Sequence, residues 1–179
     1  EAGRLRATTD AAEAVAHTDI SFIAVGTPST PHGHLNLDYI HDVARQIGTA
    51  LRDKDTFHII AIRSTVFPGT NEHVGEIIEE VSGKKRNVDF ALVSNPEGTS
   101  VHDFLNPPLT LIGTDSPRAA EVFAELYKPL PGEFISTEVR VAEVMKYVNN
   151  TFHALKIVFG NEVGVICKAL GIDSHKVMD

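Results

Sequence analysis

Short apolar runs alternate with helix-like segments through most of the chain, and this alternation limits the possible folds more than any other feature. Apolar periodicity predicts helices over 37–51 and 70–81, and Ser116-Pro117 is typical of a helix start. Strand-like runs occupy 21–25, 58–62, 90–93, 109–112 and 134–135. Strands of about five residues separated by helices of about twelve predict βαβ units and a mainly parallel sheet.

Small polar residues follow three of the predicted strands. These segments are Gly26-Thr27-Pro28, Ser64-Thr65 and Asn95-Pro96-Glu97. Ligands of parallel sheets gather at the carboxyl ends of the strands, so the three segments together predict a ligand-binding edge. Turns use the same residue types, and three ordinary turns remain an equal alternative at this point.

A long helix is predicted after Val139. No proline occurs from there to Leu170, and Gly171 is suited to end the helix. At about 100° per residue, eight apolar residues share one arc: Met145, Val148, Phe152, Leu155, Phe159, Val163, Ile166 and Leu170. So long a helix is typical of one that joins two domains.

A polar strip lies on the other side of this predicted helix. Lys146, Asn150, His153 and Asn161 fall within about 80° of each other. A solvated face would look the same. The flank that carries Tyr147, Ala154, Val158 and Val165 is apolar, however, which indicates a helix enclosed on much of its circumference. The strip is therefore predicted to line a cleft.

Composition excludes several kinds of protein. The formal net charge of −8 opposes binding to a phosphate backbone, so no nucleic-acid partner is expected. A single cysteine, Cys167, provides neither a disulfide nor a thiolate metal site, and it fits a cytoplasmic protein. No apolar run approaches the roughly 20 residues of a membrane span, so no membrane partner is expected. The first residue is Glu1 rather than Met, as expected of a piece of a longer chain.

Five segments, taken in order, carry a family resemblance. They are Phe22-Ile23-Ala24-Val25-Gly26-Thr27-Pro28, the stretch 33–40, Arg63-Ser64-Thr65-Val66, Asn95-Pro96-Glu97 and the stretch 142–150 at the start of the long helix. Together they resemble the UDP-glucose/GDP-mannose dehydrogenase family over essentially the whole chain. The segments 152–156 and 161–162 favour the GDP-mannose branch.

The resemblance implies an α/β fold: part of a Rossmann-like, mainly parallel sheet, followed by a long central helix and the start of an α-helical dimerisation domain. It divides the chain into a partial NAD-binding domain over 1–138 and the helix with the start of the middle domain over 139–179. It implies NAD-dependent oxidation of the C6 hydroxyl of a nucleotide sugar, GDP-mannose or UDP-glucose, to the uronic acid by two hydride transfers. It also implies a homodimer formed through the long helix.

The resemblance also assigns roles to single residues. Thr27 and Thr65 would contact NAD, and Thr65 would help to position a catalytic water. Glu97 would be a general acid/base that contacts the sugar near C6. Lys146 and Asn150 would bind the substrate and stabilise the oxyanion that develops at C6, where fixed donors act most strongly. His153 and Asn161 would contact the nucleotide sugar, and no metal ligand is expected.

The chain departs from the family pattern in three places. The Gly-x-Gly-x-x-Gly phosphate loop is absent from these 179 residues, and the catalytic cysteine is expected after residue 179. Cys167, between apolar neighbours, is predicted to be a buried and inert thiol. The isolated chain is therefore expected to be an inactive fragment. Glu97 is followed directly by Gly98-Thr99-Ser100 instead of the family's usual Phe-Leu continuation.

Two other functions remain open from the sequence. A dehydrogenase of the β-hydroxyacid or 6-phosphogluconate type also joins a dinucleotide domain to a long helix with Lys and Asn near its start. The Ser64-Thr65 and Asn95-Pro96-Glu97 segments argue against it. The other alternative is a non-catalytic dimerisation module, in which the apolar stripe packs against the same helix of a second copy of the chain.

Overall fold

The computed structural model describes residue 3, residues 5–96 and residues 100–178. Its elements are, in chain order, α1 (Ala11–Ala16), β1 (Ile20–Ile23), α2 (Asp38–Leu51), β2 (His58–Ile62), α3 (Thr70–Ser82), β3 (Phe90–Ser94), α4 (Val101–Leu105), β4 (Leu109–Gly113), α5 (Pro117–Tyr127), β5 (Glu133–Thr137), α6 (Val139–Leu170) and α7 (His175–Met178). The chain forms two compact units, Glu1–Val144 and Met145–Asp179.

The strands form one sheet in the order β1-β2-β3-β4-β5. β1, β2 and β3 run parallel, with Ile20 opposite Ile59 and His58 opposite Phe90. β4 is antiparallel to β3, whereas β5 is parallel to β4. The mainly parallel α/β sheet is therefore confirmed. The direction of β4 was not predicted, because an apolar run carries no information about strand direction.

Both faces of the central strands are buried, which explains their nearly continuous apolar sequence. Ile60 and Ile62 of β2 belong to a core formed with α2 and α3, whereas Ile59 and Ala61 belong to a second core that includes α5. Successive side chains of a strand point to opposite faces, so a strand covered on both sides needs apolar residues at every position. Burying one such isoleucine contributes about 1.5–3 kcal/mol.

The helices begin and end at residues suited to those positions. The Ser116 side chain accepts a hydrogen bond from the backbone of Ala119, and Pro117 occupies the first turn of α5, as predicted. Ser100 forms a capping box with Asp103 at the start of α4. α3 ends at Ser82 and is capped by Gly83, whose φ of 73° is left-handed and favours glycine.

Close packing at the end of β4 requires a glycine. A Cβ atom on Gly113 would lie 2.6 Å from the Cβ of Ala142 and 2.8 Å from the carbonyl oxygen of Glu138. Any side chain at this position would therefore collide with the first turn of α6.

Helix α6 has the bounds that the sequence predicts, from Val139 to Leu170, followed by Gly171 with a φ of 67°. The chain's own residues leave much of α6 exposed, so the prediction that it is enclosed on much of its circumference stays a prediction. Within the chain Phe159 is 63% exposed on the apolar stripe, and Val165 is 65% exposed on the flank. An apolar pattern indicates that a helix face is suited to burial, but it does not show which other residues bury it. No helix in the described part of the chain is long and apolar enough to cross a membrane.

Candidate functional site at the carboxyl ends of the strands and on helix α6

Hydrogen bonds from side-chain hydroxyl groups link the segments that follow β1 and β2. The Thr27 hydroxyl donates to the backbone oxygen of Thr65 at 3.1 Å. The Ser64 hydroxyl donates to the backbone oxygen of Val25 at 2.7 Å. Because β1 and β2 are parallel neighbours, their ends meet at one edge, and the structure brings Thr27 and Thr65 together.

This edge has room for a ligand at Gly26. The residue is exposed, and a Cβ atom placed on it would meet no other atom within 4 Å. Small residues, hydroxyl groups and open space at the ends of parallel strands are the features with which such sheets bind nucleotide cofactors. The described residues of this edge thus fit part of an NAD molecule.

The side chain of Asn95, directly after β3, forms hydrogen bonds with three different segments of the chain. Its side-chain oxygen accepts hydrogen bonds from the hydroxyl of Tyr127 at 2.5 Å and from the guanidinium of Arg63 at 3.2 Å. Its amide donates to the backbone oxygen of Leu111 at 3.2 Å. Asn95 is fully buried, so these contacts satisfy a polar side chain that would otherwise be costly. Arg63 and Tyr127 received no role from the sequence, although Arg63 lies in the segment 63–66 that carries part of the resemblance.

Glu97 lies outside the described residues, together with Gly98 and Thr99. Its assignment as general acid/base therefore stays a prediction. The described chain resumes at Ser100, directly before α4.

The four polar residues of the predicted strip all lie on α6, in the second compact unit. Lys146 is half-buried, whereas Asn150, His153 and Asn161 are exposed. Lys146 and Asn150 are one helical turn apart, so they present an ammonium group and an amide on the same face. That pair is suited to stabilising one negatively charged oxygen. The substrate contacts assigned to the four residues stay predictions.

Glu143, in the first turns of α6, makes contacts that the sequence did not reveal. Its carboxylate is buried and accepts hydrogen bonds from the backbone of Gly69 at 2.7 Å, the backbone of Asn71 at 3.0 Å and the side-chain amide of Asn71 at 2.8 Å. Gly69 provides no side-chain cap for α3, so the Glu143 carboxylate binds the N-terminus of that helix instead. The only sequence signal was its place within the 142–150 motif.

A cavity of about 290 Å³ adjoins this contact. Its lining includes Asn71, Arg86, Asp115, Arg140 and Glu143, and none of the predicted site residues. A hydrogen bond from Arg140 lowers the pKa of Glu72 at its rim. The cavity is therefore separate from the residues to which the sequence assigns chemistry.

Cys167 is buried in α6, with 4% of its surface exposed, as predicted for an inert thiol. Across residues 3, 5–96 and 100–178, no group of three or more His, Cys, Asp or Glu side chains is placed to hold a metal ion.

Comparison with known proteins identifies the family. Residues 1–131 match the family model described as "UDP-glucose/GDP-mannose dehydrogenase family, NAD binding domain", and residues 140–179 match that of the central domain. The chain belongs to the UDP-glucose/GDP-mannose dehydrogenase family. The resemblance stated from the sequence is thus confirmed, and so is NAD as the cofactor of the family's N-terminal domain.

Individual members of the UDP-glucose/GDP-mannose dehydrogenase family are similar along nearly the whole chain. A GDP-mannose 6-dehydrogenase of Pseudomonas syringae pv. tomato is 48% identical over 182 residues, which cover 99% of this chain and 42% of that protein. The UDP-glucose 6-dehydrogenase AglM of Haloferax volcanii is 39% identical, over 98% of this chain and 43% of that protein. The chain thus spans about two fifths of the length of these curated relatives.

Solved structures of the family have the same fold. The chain matches a ternary complex of GDP-mannose dehydrogenase from Pseudomonas aeruginosa with a TM-score of 0.96 at 45% identity, over 99% of this chain and 42% of that one. It matches a UDP-glucose dehydrogenase from Pyrobaculum islandicum with a TM-score of 0.87 at 40% identity, over 95% of this chain and 40% of that one.

Proposed function

We propose that the chain is part of an NAD-dependent GDP-mannose 6-dehydrogenase, which oxidises the C6 hydroxyl of the sugar to the carboxylic acid. The observation that carries the proposal is the pairing of Lys146 and Asn150 on one face of α6, in a chain of this family. Greater identity to GDP-mannose 6-dehydrogenases (48%) than to a UDP-glucose 6-dehydrogenase (39%) supports GDP-mannose as the substrate.

The strand ends of the first unit would hold the cofactor. The cofactor would supply the hydride acceptor there, and two NAD molecules bound in succession would each take one of the two hydrides that leave C6. The hydroxyl of Thr27 is hydrogen-bonded to the backbone of Thr65, so the two residues lie together beside the open space at Gly26. We propose that both residues contact NAD and that Thr65 helps to position the water consumed in forming the acid. Residues 1–138 would then belong to the NAD-binding domain and residues 139–179 to the helical middle domain.

The strip on α6 would bind and polarise the substrate. Oxidation of an alcohol to an acid passes through the aldehyde level, and negative charge develops on the C6 oxygen along the way. The Lys146 ammonium and the Asn150 amide would stabilise that charge by hydrogen bonds that are strongest in the transition state. His153 and Asn161 would hold the nucleotide sugar, and Glu97 would move the proton of the C6 hydroxyl.

The substrate is tested by NADH formation in the full-length protein. GDP-mannose is expected to give a higher kcat/KM than UDP-glucose. A preference for UDP-glucose would overturn the choice of substrate but not the reaction. Activity only with a β-hydroxyacid or 6-phosphogluconate would overturn the proposal as a whole.

The role of α6 is tested by Lys146→Ala, with Lys156→Ala as the matched control on the same helix. Lys156 lies over the ring of Phe152 at 5.1 Å and is not part of the strip. Lys146→Ala is expected to lower kcat by on the order of 10²–10³ with a small change in KM, as for the loss of a preorganised donor. Lys156→Ala should leave kcat within about twofold of wild type. Equal, small effects of the two substitutions would remove Lys146 from the mechanism.

We propose further that the full-length protein is a homodimer formed through α6. The apolar stripe, with Val148 62% exposed and Leu170 67% exposed, is the surface such a contact would bury. Light scattering of the full-length protein is expected to give twice the mass of one chain at micromolar concentration. A monomer would contradict the proposal.

A further inference from the structure

Two histidines from different helices face each other on the surface of the first unit. His41 belongs to α2 and His73 to α3, which pack side by side. Their ring centres are 5.1 Å apart, and the rings are nearly perpendicular, at 87°. The two positions are 32 residues apart in the sequence, so no local motif brings them together.

A carboxylate fixes the orientation of one ring. Nδ1 of His73 lies 3.2 Å from Oε2 of Glu76, one turn further along α3. A carboxylate at that distance favours the tautomer with the proton on Nδ1, which leaves the lone pair on Nε2. Histidines that bind metals are commonly oriented by such a carboxylate through the nitrogen that does not bind the metal.

The other ring lies among charged side chains of α2. Asp38, Asp42 and Arg45 are all close enough to His41 to act on its charge. The adjacent carboxylates of Asp38 and Asp42 offset the cost of bringing a divalent cation near Arg45, which is already paired with Asp42 at 2.8 Å.

We propose that His41 and His73 form a two-imidazole chelating site for a divalent transition-metal ion such as Zn²⁺, with Glu76 as the carboxylate that orients His73. Metal–nitrogen distances of about 2.0–2.1 Å in a tetrahedral arrangement place two imidazole centres roughly 5 Å apart, which agrees with the observed separation. Water completes the coordination, because only two side chains bind the ion. The site uses the outer faces of α2 and α3 and none of the residues assigned to the oxidation.

The experiment measures the Zn²⁺ affinity of the full-length protein by isothermal titration calorimetry, with Zn²⁺ as the only ligand and in a buffer that does not bind metals. The compared variants are His41→Gln, His73→Gln and Glu76→Gln, with His17→Gln as the control at a single exposed histidine. Either imidazole substitution is expected to weaken Zn²⁺ binding by at least about 100-fold, and Glu76→Gln by about 10-fold. His17→Gln should bind like the wild type.

A second measurement needs no variant of the site. Modification of histidines by diethyl pyrocarbonate, followed by mass spectrometry, is expected to slow at His41 and His73 when Zn²⁺ is present and to be unchanged at His17. Unaltered modification of both residues at saturating Zn²⁺ would overturn the proposal. Zn²⁺ affinity that is equal in the wild type and in both imidazole variants would overturn it as well.

Discussion

Replacing Glu143 tests how strongly one buried carboxylate stabilises the first unit. Glu143→Ala removes the acceptor of three N–H groups, two of which belong to buried Asn71. Each buried donor left without a partner costs about 1–3 kcal/mol, so two of them predict a loss of roughly 2–6 kcal/mol in the free energy of unfolding. Glu143→Gln is expected to cost less, because the amide oxygen can still accept from one of the donors.

The assay is amide hydrogen exchange along α3, beside urea unfolding of the full-length protein. A loss of 2 kcal/mol corresponds to about 30-fold faster exchange of the amides that open with this helix, including buried Val74. Glu138→Ala is the matched control, because this exposed glutamate lines the same cavity. If Glu143→Ala and Glu138→Ala accelerate exchange to the same extent, Glu143 does not hold the start of α3, and the reasoning is refuted.

Three further predictions concern other buried or exposed side chains. Burial, with the charge of Lys54, lowers the pKa of His58 from 6.5 to about 4, so the unfolded state binds the extra proton. Stability should therefore fall by up to about 3 kcal/mol as the pH drops from 6.5 to 4, and urea unfolding of His58→Gln should lack this slope. Tyr127→Phe removes the hydroxyl that donates to Asn95 and accepts from Arg63, and it is expected to cost about 1–2 kcal/mol, measured as a lower Tm; an unchanged Tm would show that this hydroxyl contributes nothing to stability. His153→Ala is expected to raise KM for the nucleotide sugar while kcat changes little, in steady-state kinetics of the full-length protein, and a loss confined to kcat would contradict a binding role.

The sequence predicted best the elements whose apolar pattern is complete from the first residue to the last. The bounds of β2 and α6 agree with the apolar pattern to the residue, because a buried strand and an uninterrupted helix each leave a complete pattern. The short helices α1 and α4 were not predicted. Five or six residues are too few to show a period, although Ser100 and Asp103 carry the capping signal.

The polar contacts that escaped prediction join residues that are distant in the sequence. The hydrogen bond from Asn71 to Glu143 joins positions 72 residues apart, and that from Tyr127 to Asn95 joins positions 32 apart. Periodicity describes one element at a time, so it cannot show which polar side chains meet. The proximity of Thr27 and Thr65 followed from the sequence, because strand ends in a parallel sheet share an edge, whereas their contact with NAD stays a prediction.

The crowding around Gly113 has a consequence for how this sequence can change over time. A position that admits no side chain tolerates no substitution, even though Gly113 takes no part in the proposed chemistry. In a library that samples every amino acid at every position, Gly113 should be as depleted of variants as Lys146. The two can be told apart because variants of Gly113 lose folded protein, whereas variants of Lys146 lose turnover only. Intolerance to substitution therefore cannot by itself mark a catalytic residue in this chain.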